Sequence, residues 1–174
     1  MNTESANERS VSTEARVERV SLFHRRIHSE ILIDAPPDRV WRVLTDWERL
    51  REWSPTLLGM NGEIRHGQTV DCAYVFKGKE IAPKHTLHYE EGLELGWSDP
   101  MLPGVFDRHR YRIEPLSDGR TRFVQSDEVR GGALSLLLGW FFVNEMVATY
   151  PAFNRALKTR VESLSADPVP GNVS

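Results

Sequence analysis

The hydrophobic period of this chain changes after Gly131 and Gly132. From there Phe142, Met146, Tyr150 (or Thr149), Phe153, Leu157, Val161 and Leu164 recur at three- and four-residue spacing. That pattern predicts one long C-terminal helix with a continuous apolar stripe. Pro151 lies within it and removes one helix hydrogen bond, so a kink or break is expected near 147–150. The chain before Gly131 mostly alternates with a period of two. The order predicted is a strand, two short helices, about six strands, then the long helix, which is an α+β arrangement.

The first strand is expected over Ile27 to Asp34, with Ile27, Ser29, Ile31 and Ile33 on one face. Pro36 and Pro37 stop it. Val40, Val43, Leu44 and Trp47 then mark an amphipathic helix, and a second helical turn spans Trp47 to Trp53. Strands follow at Val70 to Phe76, Ile81 to Tyr89, Leu93 to Trp97, Phe106 to Ile113 and Thr121 to Gln125. Asp118-Gly119 closes the last hairpin. The folded unit is expected over residues 19–165, between a disordered polar tail at 1–18 and another at 166–174.

With 174 residues there is one domain's worth of chain, taking roughly 100–200 residues per domain. The net charge of −3 gives no broad positive field for phosphate, so a nucleic-acid partner is not expected. Cys72 is the single cysteine; it cannot form an internal disulfide and reads as a buried structural thiol. The first twelve residues lack the apolar core of a signal peptide. The most apolar run, Ala133 to Val143, falls short of the about 20 residues that a membrane span needs. These features together predict a cytoplasmic protein without a transmembrane segment.

Three segments carry a family resemblance. Ile31 to Pro55 (ILIDAPPDRVWRVLTDWERLREWSP) resembles the opening segment of the START-like, or SRPBCC, superfamily, which includes polyketide cyclase/dehydrases, pollen allergens and lipid-transfer domains. Tyr111 to Glu128 is similar to that superfamily's last hairpin, and Phe153 to Glu162 to the end of its long helix. The resemblance covers about 27–164. It implies a helix-grip fold: a curved antiparallel sheet of about seven strands around the C-terminal helix, with two short helices after the first strand. It also implies a deep cavity for a hydrophobic or amphipathic small molecule, such as a lipid, quinone or polyketide. Some relatives perform cyclisation or dehydration there, and fold alone does not choose between these roles.

Strand parity selects candidate residues. Arg108, Arg110 and Arg112 occupy one face of their strand, which places Asp107, His109, Tyr111 and Ile113 inward. His109 reads either as a core histidine or as an acid/base beside a ligand. On the next strand Thr121, Phe123 and Gln125 face in. His85 and Leu87 share the apolar face of theirs, unless a bulge at Pro83 flips it. Trp53, Tyr74 and Trp97 are further cavity candidates. On the long helix, Met146, Tyr150, Phe153 and Asn154 are placed to face the sheet, with Tyr150 and Asn154 as polar handles. His109 and Tyr150 are the candidate catalytic pair. Asp46 and Glu128 match acids frequent in the superfamily, and each also reads as a local cap or salt bridge.

The six histidines show no metal-ligand spacing, so neither a metal nor another cofactor is expected. The run 134–143 is apolar nearly all round. It offers three readings: closure of the cavity, a homodimer or other protein-docking surface, or a peripheral membrane contact. Monomer and homodimer both remain open.

Overall fold

The computed structural model describes residues 13–102 and 104–166; side chains are described except at 99–102, 133–142 and 165–166. Among the described residues nine strands form one antiparallel sheet: β1 Arg16–Ser21, β2 His24–Ile33, β3 Leu57–Gly62, β4 Thr69–Phe76, β5 Lys79–Ile81, β6 Lys84–Glu90, β7 Glu94–Leu102, β8 Val105–Pro115 and β9 Thr121–Gly131. The spatial order is β1-β2-β9-β8-β7-β6-β4-β3, with β5 paired to β4. The sheet is curved and unclosed. Helices α1 (Pro37–Leu44) and α2 (Leu50–Trp53) follow β2, and α3 (Ala133–Ala166) ends the chain. This is the helix-grip arrangement.

The strand count exceeds the expected seven for local reasons. β1 begins within the segment read as a tail, and every one of its residues is exposed. An exposed edge strand has no buried face to impose alternation. β3 contains Gly59 and Gly62, which lower strand propensity. Pro83 splits the single strand expected over 81–89 into β5 and β6. The face is not flipped: His85 and Leu87 are both buried.

α3 is continuous through Pro151, and no break interrupts it. Its inner face buries Val143, Tyr150, Phe153, Asn154, Leu157 and Val161. Leu164, the last residue of the expected stripe, is 44% exposed. Phe153, Leu157 and Val161 join the main core with α1, α2 and the middle of the sheet. A second cluster forms at the other half of the helix, from Ile27, Val105, Val129, Val143 and Tyr150. The helix–sheet interface is therefore close-packed toward the end of α3 and differently built toward its start. That second half holds the cavity. The remaining tail residues, 1–12 and 167–174, lie outside the described residues.

Candidate functional site

Antiparallel register builds one transverse row across the sheet. Trp97 on β7 stands opposite His109 on β8, and His109 stands opposite Asp127 on β9. Residues in register share a face, so all three project toward α3. The Trp97 and His109 rings stack at 4.4 Å and 17°, a favourable aromatic geometry. His85 extends the row, 6.1 Å from Trp97, and Tyr74 lies 6.0 Å beyond it.

Between this row and α3 lies a cavity of about 340 Å³. Rings line the sheet side: Tyr74, His85, Trp97, His109 and Tyr111. Met146, Thr149 and Tyr150 close it from the helix, and Phe76 and Ile81 from the β4–β5 hairpin. At that hairpin's tip the Lys77 amide donates to the Glu145 carboxylate on α3 at 3.3 Å.

One wall of the cavity is a buried polar cluster. The Tyr150 hydroxyl donates to Asp127 Oδ2 at 2.8 Å. His109 Nδ1 lies 3.1 Å from the same oxygen and 2.9 Å from the Tyr150 hydroxyl. An ionised carboxylate only accepts, so Nδ1 carries the proton and donates. In the neutral ring that leaves Nε2 as an acceptor, and Nε2 has no hydrogen-bond partner. Burial pushes the Asp127 carboxyl upward, but hydrogen bonds from Asp107 and His109, the His109 charge and the Tyr150 bond outweigh it. The net position is below the ordinary aspartate range. The Tyr150 phenol is held well above its ordinary range, by burial first and then by the Asp127 and Asp107 charges. Tyr150 is thus a fixed donor at neutral pH. Asp127 orients the imidazole, a pairing that selects one tautomer.

Of the residues predicted from sequence, Tyr74, His85, Trp97, His109, Tyr111, Gln125, Met146 and Tyr150 line the cavity. Trp53, Leu87, Phe123, Phe153 and Asn154 do not. Phe153 is fully buried against Trp53 and Tyr111, at 5.5 and 4.9 Å between centroids. Leu87 and Phe123 belong to the same packed cluster. Asn154 donates to Ser29 Oγ at 2.9 Å. These five face the right way but sit at the filled end of the interface. Asp46 pairs with Arg49 on the surface. Glu128 faces away from the cavity and meets Arg26 at 3.4 Å and Arg110 at 3.6 Å. The side chains of 134–142 lie outside the described residues, and so do the docking and membrane readings placed on them.

Asp127 was not among the predicted residues. It is the next inward position after Gln125, and the burial of β9 alternates unbroken through Val129. Extending the parity by one step finds it. Asp107, noted only as inward-facing, also lines the cavity. Among the described residues no three His, Cys, Asp or Glu side chains come together as metal ligands. No helix among them is long and apolar enough to cross a membrane.

The helix-grip fold and its inner cavity define a START-like, SRPBCC-superfamily domain. Residues 24–162 match the model of the family described as polyketide cyclase/dehydrase and lipid transport, and the chain belongs to that family. Zhui, an aromatase/cyclase from Streptomyces sp. R1128, is similar with a TM-score of 0.65 at 18% identity, over 82% of this chain and 96% of its own. A START superfamily protein from Mycobacterium smegmatis has a TM-score of 0.54 at 16% identity, over 80% of this chain and 98% of its own. The di-domain aromatase/cyclase BexL gives 0.65 at 16% identity; 82% of this chain spans about half, 48%, of that one. Likeness at these identities is likeness of fold. No curated protein sequence matches this chain. Family and fold together support a hydrophobic-ligand-binding or cyclase-type role.

Proposed function

We propose that this protein binds a compact, mainly apolar small molecule between α3 and the sheet, with the polar end of that molecule at the His109–Asp127–Tyr150 cluster. One observation carries the reading: a ring-lined cavity of about 340 Å³ with a buried, hydrogen-bonded polar cluster in its wall. Small-molecule sites are mostly apolar pockets of about 300–1,000 Å³ with a few placed polar groups. This cavity sits at the small end of that range, so a ring system fits it better than a two-chain lipid. Native mass spectrometry of gently purified protein, followed by organic extraction, tests the reading. A stoichiometric adduct that is lost in a cavity-filling Met146→Trp variant supports it. A clean mass, together with no binding of any ring compound in titration, overturns it.

A second reading is favoured by the His109–Asp127 pairing. A histidine oriented by a buried carboxylate, with Nε2 unpartnered, is the arrangement used for general acid/base catalysis. In a ring closure Nε2 would take a proton from a carbon acid and return it to the oxygen of the attacked carbonyl; in a dehydration it would return it to the departing hydroxyl, which leaves as water. Turnover of an identified substrate that falls by about 10²-fold or more in His109→Gln, with binding retained, supports catalysis. Full turnover in that variant removes His109 from the catalytic role, and no turnover of any bound ring compound by the unaltered protein leaves a carrier.

A further inference from the structure

Two buried polar atoms on the cavity wall lack a hydrogen-bond partner. Gln125 is 1% exposed, lines the cavity, and its Oε1 has no partner. His109 is 5% exposed, and its Nε2 has none either. A side-chain amide oxygen can only accept. His109 Nε2 is also an acceptor in the neutral ring, because Nδ1 is committed as donor to Asp127 Oδ2. Gln125 Oε1 therefore asks for a donor, and so does His109 Nε2 while the ring is neutral. A buried polar group left unsatisfied is costly, so a guest that supplies the missing donor gains by more than an ordinary hydrogen bond.

The charges on the same wall point the same way. Asp107 and Asp127 both line it, and Asp127, held below the ordinary aspartate range, carries a negative charge there. Glu145 adds a carboxylate on the helix side. Among the described residues Lys84 is the only lysine or arginine on the wall; its ammonium is held by Asp71 at 3.1 Å and its side chain is 74% exposed. A protonated His109 would already face Asp127 at 3.1 Å. His85 lies between the Tyr74 and Trp97 rings. An anionic guest entering toward Asp127 would be desolvated against like charge, which is unfavourable in a low-dielectric site.

We infer that the ligand is a ring compound whose buried polar end is a hydrogen-bond donor without negative charge, a hydroxyl or an ammonium group, and that the cavity rejects carboxylates. The inference rests on the ligand-binding reading above and specifies its ligand class. The donor goes to Gln125 Oε1, while Trp97, Tyr111 and Tyr74 cover the ring faces.

Four probes with one skeleton test it: 2-naphthol, 2-naphthylmethylamine, 2-methoxynaphthalene and 2-naphthoate, titrated into the full chain at pH 7 by calorimetry. The expected order has naphthol and the amine binding about tenfold or more tighter than both the methoxy compound and the carboxylate. In Gln125→Leu the naphthol-to-methoxynaphthalene ratio falls to within about threefold. Because both affinities come from the same variant, a general loosening of the cavity leaves the ratio untouched. Naphthoate binding as tightly as naphthol, or methoxynaphthalene matching naphthol in the unaltered protein, overturns the inference and leaves the ligand-binding reading standing. Failure of all four probes to bind overturns both.

Discussion

The phenol of Tyr150 on α3 donates to Asp127 Oδ2 on β9 across 2.8 Å, with both groups buried. This bond ties the long helix to the sheet at the cavity wall and fixes the acceptor that orients His109. Replacing Tyr150 by Phe removes the donor and leaves a buried carboxylate short of one hydrogen bond. The expected cost is about 1–3 kcal/mol of stability, read as a shift in urea midpoint. In the unaltered protein, an ultraviolet pH titration should show Tyr150 and Tyr111 silent until the fold opens. Burial holds both phenols well above their ordinary range.

The stability contributed by Asp127 has a defined pH window. Its folded carboxyl lies below the ordinary aspartate value even though burial pushes it up. A depressed carboxyl stabilises the fold above the unfolded value of about 3.9. That contribution fades as the pH falls through the lower folded value. Urea midpoints of the unaltered protein and Asp127→Asn should therefore differ most between pH 5 and 7. They should converge as the solution is acidified below about pH 4.

Cys72 is fully buried, and its thiol is pushed upward by burial. A thiol reagent needs exposed thiolate. Modification in native buffer should be slower by orders of magnitude than in 6 M guanidinium, and its rate should track global stability across variants. Rapid labelling of the native protein would show instead that β3 and β4 separate locally.

Gly96 on β7 has no room for a side chain: a Cβ there would sit 2.5 Å from the His109 carbonyl oxygen and 3.3 Å from Arg110 Cα. These are backbone atoms of the paired strand and cannot swing aside. Gly96→Ala should cost about 1–3 kcal/mol. It should also disturb the neighbouring Trp97–His109 stack, visible as a change in near-ultraviolet circular dichroism. An unchanged melting temperature and spectrum would contradict the close strand approach.

The two halves of the helix–sheet interface should respond differently to truncation. Phe153 is fully buried among packed rings, and Phe153→Ala should cost about 3–5 kcal/mol. Met146 already borders empty space. Met146→Ala should cost about 1 kcal/mol or less while widening the range of ring compounds bound.

Strand parity carried the reading of the sheet a long way. The alternate arginines on β8 identified the inward set of Asp107, His109 and Tyr111, and all are buried. Parity says which face a residue takes, not how far along the helix axis it lies. Leu87, Phe123 and Phe153 have the expected faces, yet they stand where the helix and sheet meet without a gap. The location of a void depends on side-chain volumes summed across four or five elements, and no single strand's pattern holds that sum. Asp127 was legible in principle, but Ser126-Asp127-Glu128 reads as the polar end of a strand when tertiary partners are unknown. β1 and β3 lacked a buried face or carried glycines, so their pairing came from neighbours rather than from their own pattern.

The separation of the interface into a solid end and a hollow end also bears on how such a chain changes over generations. Substitutions at the hollow end that spare the Tyr150–Asp127 bond meet open volume, so they can reshape the cavity without drawing on the contacts that keep the fold together. Selection can then try new ligands at nearly constant stability, provided Phe153, Leu157 and Val161 stay seated. On this molecule, heritable novelty has its cheapest entrance between Tyr74 and Met146.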